Sequence, residues 1–200
     1  MSDKVNVLVI GVGGAGNSIV NHMIEIPTEG ISFLAMDMDE DSLQESLAKD
    51  RIKLPTDLAF NVGRSIEPLI GQMCANEKAD EIKDHLKDAS IIFIVAGMGG
   101  TCGTGASLEV AKSAKCIGIK TVVIVTKPFL FEGEKRQKIA EEYINSLQSI
   151  ASEVIVISNE DVKKTIEGKV SFSKVFSTIG DIIVQTVTEH ISTLQTASTD

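Results

Sequence analysis

The chain has 200 residues, which suits one domain, or one domain with a small appendage. It is 43% hydrophobic, with 16 glycines against 4 prolines, so it can bury a sizeable core joined by ordered turns rather than linkers. A net charge of −9 argues against a broad nucleic-acid surface, which needs clustered Lys and Arg.

Lys4–Ile10 (KVNVLVI) is a short β-branched run that reads as a buried strand. The glycine stretch GVGGAGNS, Gly11–Ser18, follows it. Asn17–Glu25 then carries Ile19, Val20, Met23 and Ile24 at helical spacing, until Pro27–Gly30 breaks the pattern. Ile31–Met36 (ISFLAM) is a second strand, ending on Asp37, Met38 and Asp39. From Asp41 to Asp80 the polar stretches, Pro55 and Pro68 predict helices and loops without clear bounds. Ala79–Asp88 reads as an amphipathic helix, and Ser90–Ala96 (SIIFIVA) as a strand running into GMGGTCGTG, Gly97–Gly105. A helix over Ala106–Ala114, a strand over Lys120–Val125, a helix over Lys135–Ala151 and a strand over Glu153–Ile157 come next. Ser173–Leu194 closes the pattern as a long helix, apolar at 175, 176, 179, 182, 183, 187 and 191. Strands alternating with helices predict an α/β fold, a doubly wound parallel sheet with helices on both faces, whose ligands bind outside the carboxyl ends of the strands.

Gly11, Gly13 and Gly16 fit the dinucleotide fingerprint G-x-G-x-x-G, and Asp37 stands about 20 residues on, where an NAD site places its ribose acid. The second glycine stretch shifts the balance. Five glycines in the nine residues 97–105 give a backbone able to curl with several N–H groups inward, and Thr101 and Thr104 add hydroxyls. A dinucleotide domain needs one such loop, whereas two at one sheet edge suit a triphosphate gripped from both sides. A bare strand-to-helix turn needs only one or two glycines. No G-x-x-x-x-G-K-[ST] is present, which sets aside a P-loop NTPase.

At these residues the sequence resembles the FtsZ/tubulin family of GTPases, and its FtsZ branch more than tubulin. The family signature GGGTGTG is matched by Gly99–Gly105 (GGTCGTG) except at Thr101 and Cys102. The resemblance continues in VNHMIE (Val20–Glu25), AGMGG (Ala96–Gly100), VTKPF (Val125–Phe129) and FEGEKR (Phe131–Arg136), from about Val5 to about Leu194.

The resemblance implies a domain that binds GTP or GDP with Mg²⁺. Gly13, Gly14, Ala15, Gly16 and Asn17 would lie on one side of the phosphates, and Gly99, Gly100, Thr101, Cys102, Gly103, Thr104 and Gly105 on the other. It places Glu132 and Arg136 at the sugar, Asn159 at the guanine edge, and Gly180 where the family has a guanine-binding Asn or Asp. It also implies other FtsZ-like subunits as partners, in a homo- or hetero-polymer serving cell division, with no nucleic acid and no direct membrane insertion. Spacing alone reads the i, i+4 pair Glu132 and Arg136 as a surface ion pair.

Several positions depart from the family pattern. Thr101 and Cys102 replace a signature Gly and Thr, and Asp37-Met38-Asp39 stands for NTD. The family's GAGANP loop aligns with Gly63–Pro68, where Gly63 and Pro68 match and Arg64 enters. The family's acidic catalytic loop and second domain have no counterpart before Asp200, so this chain is expected to bind nucleotide and hydrolyse it slowly or not at all. A different class of role is a non-hydrolysing regulator or filament cap. That role predicts shorter filaments when a filament-forming relative is mixed with a small proportion of this chain.

No catalytic constellation competes: His22, His85 and His190 fall on helical patterns without H-x-x-x-H or cysteine partners. Cys74, Cys102 and Cys116 form neither a metal spacing nor an even disulfide set. No signal peptide precedes the first strand, and no apolar run reaches about 18 residues, so a cytoplasmic protein is expected.

Overall fold

The computed structural model describes residues 6–27, 30–57, 67–168 and 170–197. The strands are β1 (Val7–Val12), β2 (Ile31–Asp37), β3 (Asp50–Lys53), β4 (Ile91–Gly97), β5 (Lys120–Lys127) and β6 (Glu153–Ser158). The helices are α1 (Gly13–Glu25), α2 (Glu40–Gln44), α3 (Pro68–Glu77), α4 (Ala79–Leu86), α5 (Cys102–Cys116), α6 (Glu134–Gln148), α7 (Asn159–Thr165) and α8 (Phe172–Ala197), with a 3-10 turn at Leu130–Glu132. The sheet runs β3-β2-β1-β4-β5-β6 and every pairing is parallel. The predicted doubly wound sheet is present, and its order reverses between β1 and β4.

The period-two alternation of the central strands divides the core. Leu8, Ile10 and Val12 of β1, with Ile92, Ile94 and Ala96 of β4, face α3, α4, α5 and α6. Val7, Val9, Ile91, Phe93 and Val95 face the other way, onto α1 and the apolar stripe Val175, Ile179, Ile183 and Val187 of α8. Being covered on both sides, these strands read as unbroken apolar runs rather than alternating ones.

The differences from the sequence reading concern where elements begin. β1 extends through Gly11 and Val12, and α1 starts at Gly13 rather than Asn17. Likewise α5 starts at Cys102 rather than Ala106. The first glycine stretch is thus mostly the opening turn of α1 and the second runs through a turn into that of α5, each with one glycine of positive φ, Gly13 at +72° and Gly99 at +96°. Glycine's weak helix propensity hid these turns, because tertiary contacts decide them. The region without clear bounds contains α2, β3 and α3. The short helix α7 shows no helical period in the sequence because it holds one apolar residue, Val162, in seven. Gly63, Arg64, Ser65 and Ile66, aligned with the family's GAGANP loop, lie outside the described residues.

Candidate functional site

A cleft of about 270 Å³ opens at the carboxyl edge of the sheet, at the β1/β4 order reversal. Its floor is the two glycine stretches in contact. A β-carbon on Gly13 would stand 2.8 Å from the Gly103 amide nitrogen, and one on Gly103 would stand 2.6 Å from the Gly97 carbonyl oxygen. Only glycine allows this approach, and it brings the N-termini of α1 and α5 to one place.

Those two N-termini are left open. Their N-cap residues, Val12 and Thr101, make no side-chain cap, and neither first turn carries an acid. By contrast α2 and α7 are capped by Asp39 and Ser158 and carry acids in the first turn. The amides of Gly13, Gly14 and Ala15, and of Cys102 and Gly103, are therefore free to meet an anion, with both helix dipoles favouring it. The walls are Met98, Thr126, Pro128, Glu132, Arg136, Asn159 and Phe176.

The glycines sort by what surrounds them. Gly14 and Gly100 line the cleft, and a β-carbon on either would meet nothing within 4 Å. Gly16 packs on the Val95 carbonyl and Gly105 on that of Pro68, so these two serve helix packing. The threonines brace the second loop. The buried Thr104 Oγ1 accepts the Gly99 amide at 2.8 Å, and Thr101 Oγ1 accepts the Glu67 amide at 3.2 Å.

Asn17 is 2% exposed and turned away from the cleft, its Nδ2 donating to the Met36 carbonyl and to Asp37 Oδ2, each at 3.2 Å. Among the described residues Asp37 accepts Asn17 Nδ2, the Ser42 hydroxyl at 2.8 Å, the Met38 and Asp39 amides at 2.7 and 3.2 Å, and the Cys102 thiol. Its buried carboxylate is engaged by its own loop, by α1 and by α5 and does not line the cleft, which argues against the dinucleotide reading of that acid. Cys102, in the cleft, lies beside it. Burial pushes the thiol pKa far up, and the Asp37 charge and hydrogen bond push it further, so the group is a neutral thiol.

Glu132 and Arg136 are both in the wall, joined at 2.7 Å, while Glu132 Oε1 also accepts the Phe129 amide at 2.9 Å. This is more than the surface pair that spacing suggests, because the carboxylate also closes the 3-10 turn. Asn159 opens α7 at 4% exposure, and its Oδ1 is buried in the wall without a partner among the described residues. Gly180 does not line the cleft. It is buried under His22, whose ring would collide with any β-carbon there, and His22 Nε2 meets Asp181 Oδ1 at 2.8 Å. Phe176 was read only as one of the apolar positions of the long helix, although Val175 beside it carried the clue. Neighbours on a helix point about 100° apart, and with Val175 in the core Phe176 stands at its margin, where it also lines the cleft.

The Tubulin/FtsZ family, GTPase domain, matches residues 6–167. The cell division protein FtsZ of Buchnera aphidicola subsp. Baizongia pistaciae is 35% identical over 195 residues, covering 96% of this chain and 51% of that protein. The cell division protein FtsZ 2 of Rhizobium meliloti is 40% identical over 173 residues, covering 86% and 50%. A solved structure of an empty FtsZ dimer from M. jannaschii superposes with a TM-score of 0.82 at 32% identity, covering 92% of this chain and 53% of the other. The chain thus spans about half the length of the relatives it matches. Sequence match, sheet order and paired glycine turns agree, and the chain belongs to the Tubulin/FtsZ family as a GTPase domain.

Proposed function

We propose that this domain binds GTP and GDP, with the phosphates on the free amides of α1 and α5 and the sugar against Glu132 and Arg136. The observation that carries this reading is the convergence of two uncapped, acid-free helix N-termini through the Gly13–Gly103 contact. A triphosphate needs donors on several sides, and backbone amides supply them in a chain of net charge −9. Asn159 offers the guanine edge a buried, unpaired acceptor, while Gly180, filled by His22, offers it nothing.

Mg²⁺ suits this site as a companion of the phosphates. Among the described residues no cluster of three His, Cys, Asp or Glu could hold a metal, and Asp37 is fully engaged. A cation bridging phosphate oxygens and waters needs no protein cage. Among the described residues the one carboxylate in the wall is Glu132, and it is held by Arg136 and the Phe129 amide rather than placed to activate water. Hydrolysis is therefore slow in the chain alone and is completed by an acidic loop of a neighbouring FtsZ-like subunit in a GTP-dependent polymer of the cytoplasm. No helix of the described residues is long and apolar enough to cross a membrane.

Titration calorimetry with GTP, GDP, ATP and NAD, each with Mg²⁺, tests the reading. Heat from GTP and GDP alone supports it. Equal binding of ATP removes base selection while keeping the phosphate site, and binding of NAD alone or of nothing overturns it.

A further inference from the structure

The two edges of the sheet are built differently. At one end β3 carries Asp50, Arg51 and Lys53 among its four residues, and such charges discourage another strand from pairing. At the other end β6 pairs, among the described residues, with β5 alone, and its sequence EVIVIS contains four apolar residues in a row. It has no proline and no lysine. Ile155 and Ile157 pack toward α8 and Val154 toward the opposite core, but all three remain half-exposed. Val156 belongs to neither core and is 38% exposed, although its partner in β5, Val125, is fully buried.

We propose that the free edge of β6 pairs antiparallel with β6 of a second copy of this chain, about a two-fold axis through Val156. Antiparallel pairing about an axis normal to the sheet keeps each face on its own side, so opposed residues must share parity. Centring on Val156 sets it against itself, Ile155 against Ile157, and Val154 against Ser158. The most exposed residue of the strand then covers its own counterpart, and apolar stripes continue across the seam on both faces. The single charge of the strand fits this register. Glu153, already paired with His190 at 3.1 Å, would lie about 20 Å from its counterpart, well beyond the screening length of about 8 Å. The surface is self-complementary, as a closed two-fold dimer requires. The pairing uses neither glycine turn, so it needs no nucleotide and gives a closed dimer rather than an open filament.

Analytical ultracentrifugation of the whole chain without nucleotide tests this. A discrete dimer is expected at high micromolar concentration. Val156→Lys sets two ammonium groups against each other and weakens the dimer by about tenfold or more, with the melting temperature of the monomer unchanged. Mixing Val156→Lys with Val156→Glu restores it as a heterodimer. Should the variants fail to fold, hydrogen exchange on the unmodified chain serves instead, with β6 amides gaining protection as concentration rises. A monomer at every concentration, a dimer indifferent to Val156→Lys, a charge-swapped pair that does not associate, or β6 protection independent of concentration each overturns the proposal.

Discussion

Gly13 and Gly103 touch backbone to backbone, so closely that a β-carbon on the first would lie 2.8 Å from the amide nitrogen of the second. The contact makes one anion site out of two helix N-termini that lie about 90 residues apart in the chain. Gly13 also sits at φ +72°, where a side chain is strained. Gly13→Ala should therefore cost about 1–3 kcal/mol of stability and part the two turns. Calorimetry should find GTP binding reduced far more than this loss of stability explains. Unchanged binding in Gly13→Ala would mean that the contact does not build the site.

Two other glycines separate packing from ligand space. A β-carbon at 105 would run into the Pro68 backbone of α3, whereas one at 100 would meet nothing within 4 Å and stands in the cleft wall. Gly105→Ala is expected to destabilise the fold by about 2–4 kcal/mol, measured by urea unfolding, because two helices must separate. Gly100→Ala should stay within about 1 kcal/mol of the unmodified chain and lose nucleotide affinity instead. The reverse pattern would show that Gly100, not Gly105, holds the helices.

Glu132 has two duties, to Arg136 and to the Phe129 amide. Glu132→Ala removes both and should weaken GTP binding by about tenfold to a hundredfold, since a lost charge-assisted bond is worth about 1.5–3 kcal/mol. Glu132→Gln keeps an acceptor for the amide and should recover part of that loss. Equal affinity in both variants would leave the charge as the only contribution.

Cys102 and Cys116 should differ in reactivity. Cys102 is held neutral by burial and by the Asp37 carboxylate, while Cys116 is exposed at the end of α5. Alkylation at mildly alkaline pH, followed by mass spectrometry, should label Cys116 at least about tenfold faster. Bound GTP should slow Cys102 further while leaving Cys116 unchanged. Rapid labelling of Cys102 in the free protein would contradict the neutral thiol.

How much of this was legible in the sequence depends on the kind of residue. The apolar runs of β1, β4 and β5 gave their strands, because burial on both faces leaves no other pattern. The paired glycine stretches pointed to the phosphate site. Their helical character was not legible, since Gly16 is set by a carbonyl of β4 and Gly105 by one of α3, contacts remote in sequence. The roles of Asp37 and Gly180 were hidden for the same reason. Nothing local says that the first is engaged by Asn17, Ser42 and Cys102 together, or that His22 fills the space beside the second.

His190 offers a pH reading of the long helix against the sheet. Burial, and more weakly Lys120, work to lower its pKa. The hydrogen bond to Glu153, the Thr186 carbonyl and the Glu153 charge outweigh them, so the value in the folded protein is raised. A group whose folded value lies above its unfolded one, about 6.5 for histidine, binds its proton more tightly when folded. Its contribution is complete below that unfolded value and is lost as pH rises through the folded one. Glu153 is half-exposed, so solvent limits the effect to less than about 1 kcal/mol. Urea unfolding across mildly acidic to neutral pH should therefore show His190→Gln less stable than the unmodified chain on the acid side, the gap shrinking as pH rises. A gap that is constant or widens toward higher pH would mean that packing of the ring against Phe93, at 5.7 Å between centroids, rather than its charge, is what His190 contributes.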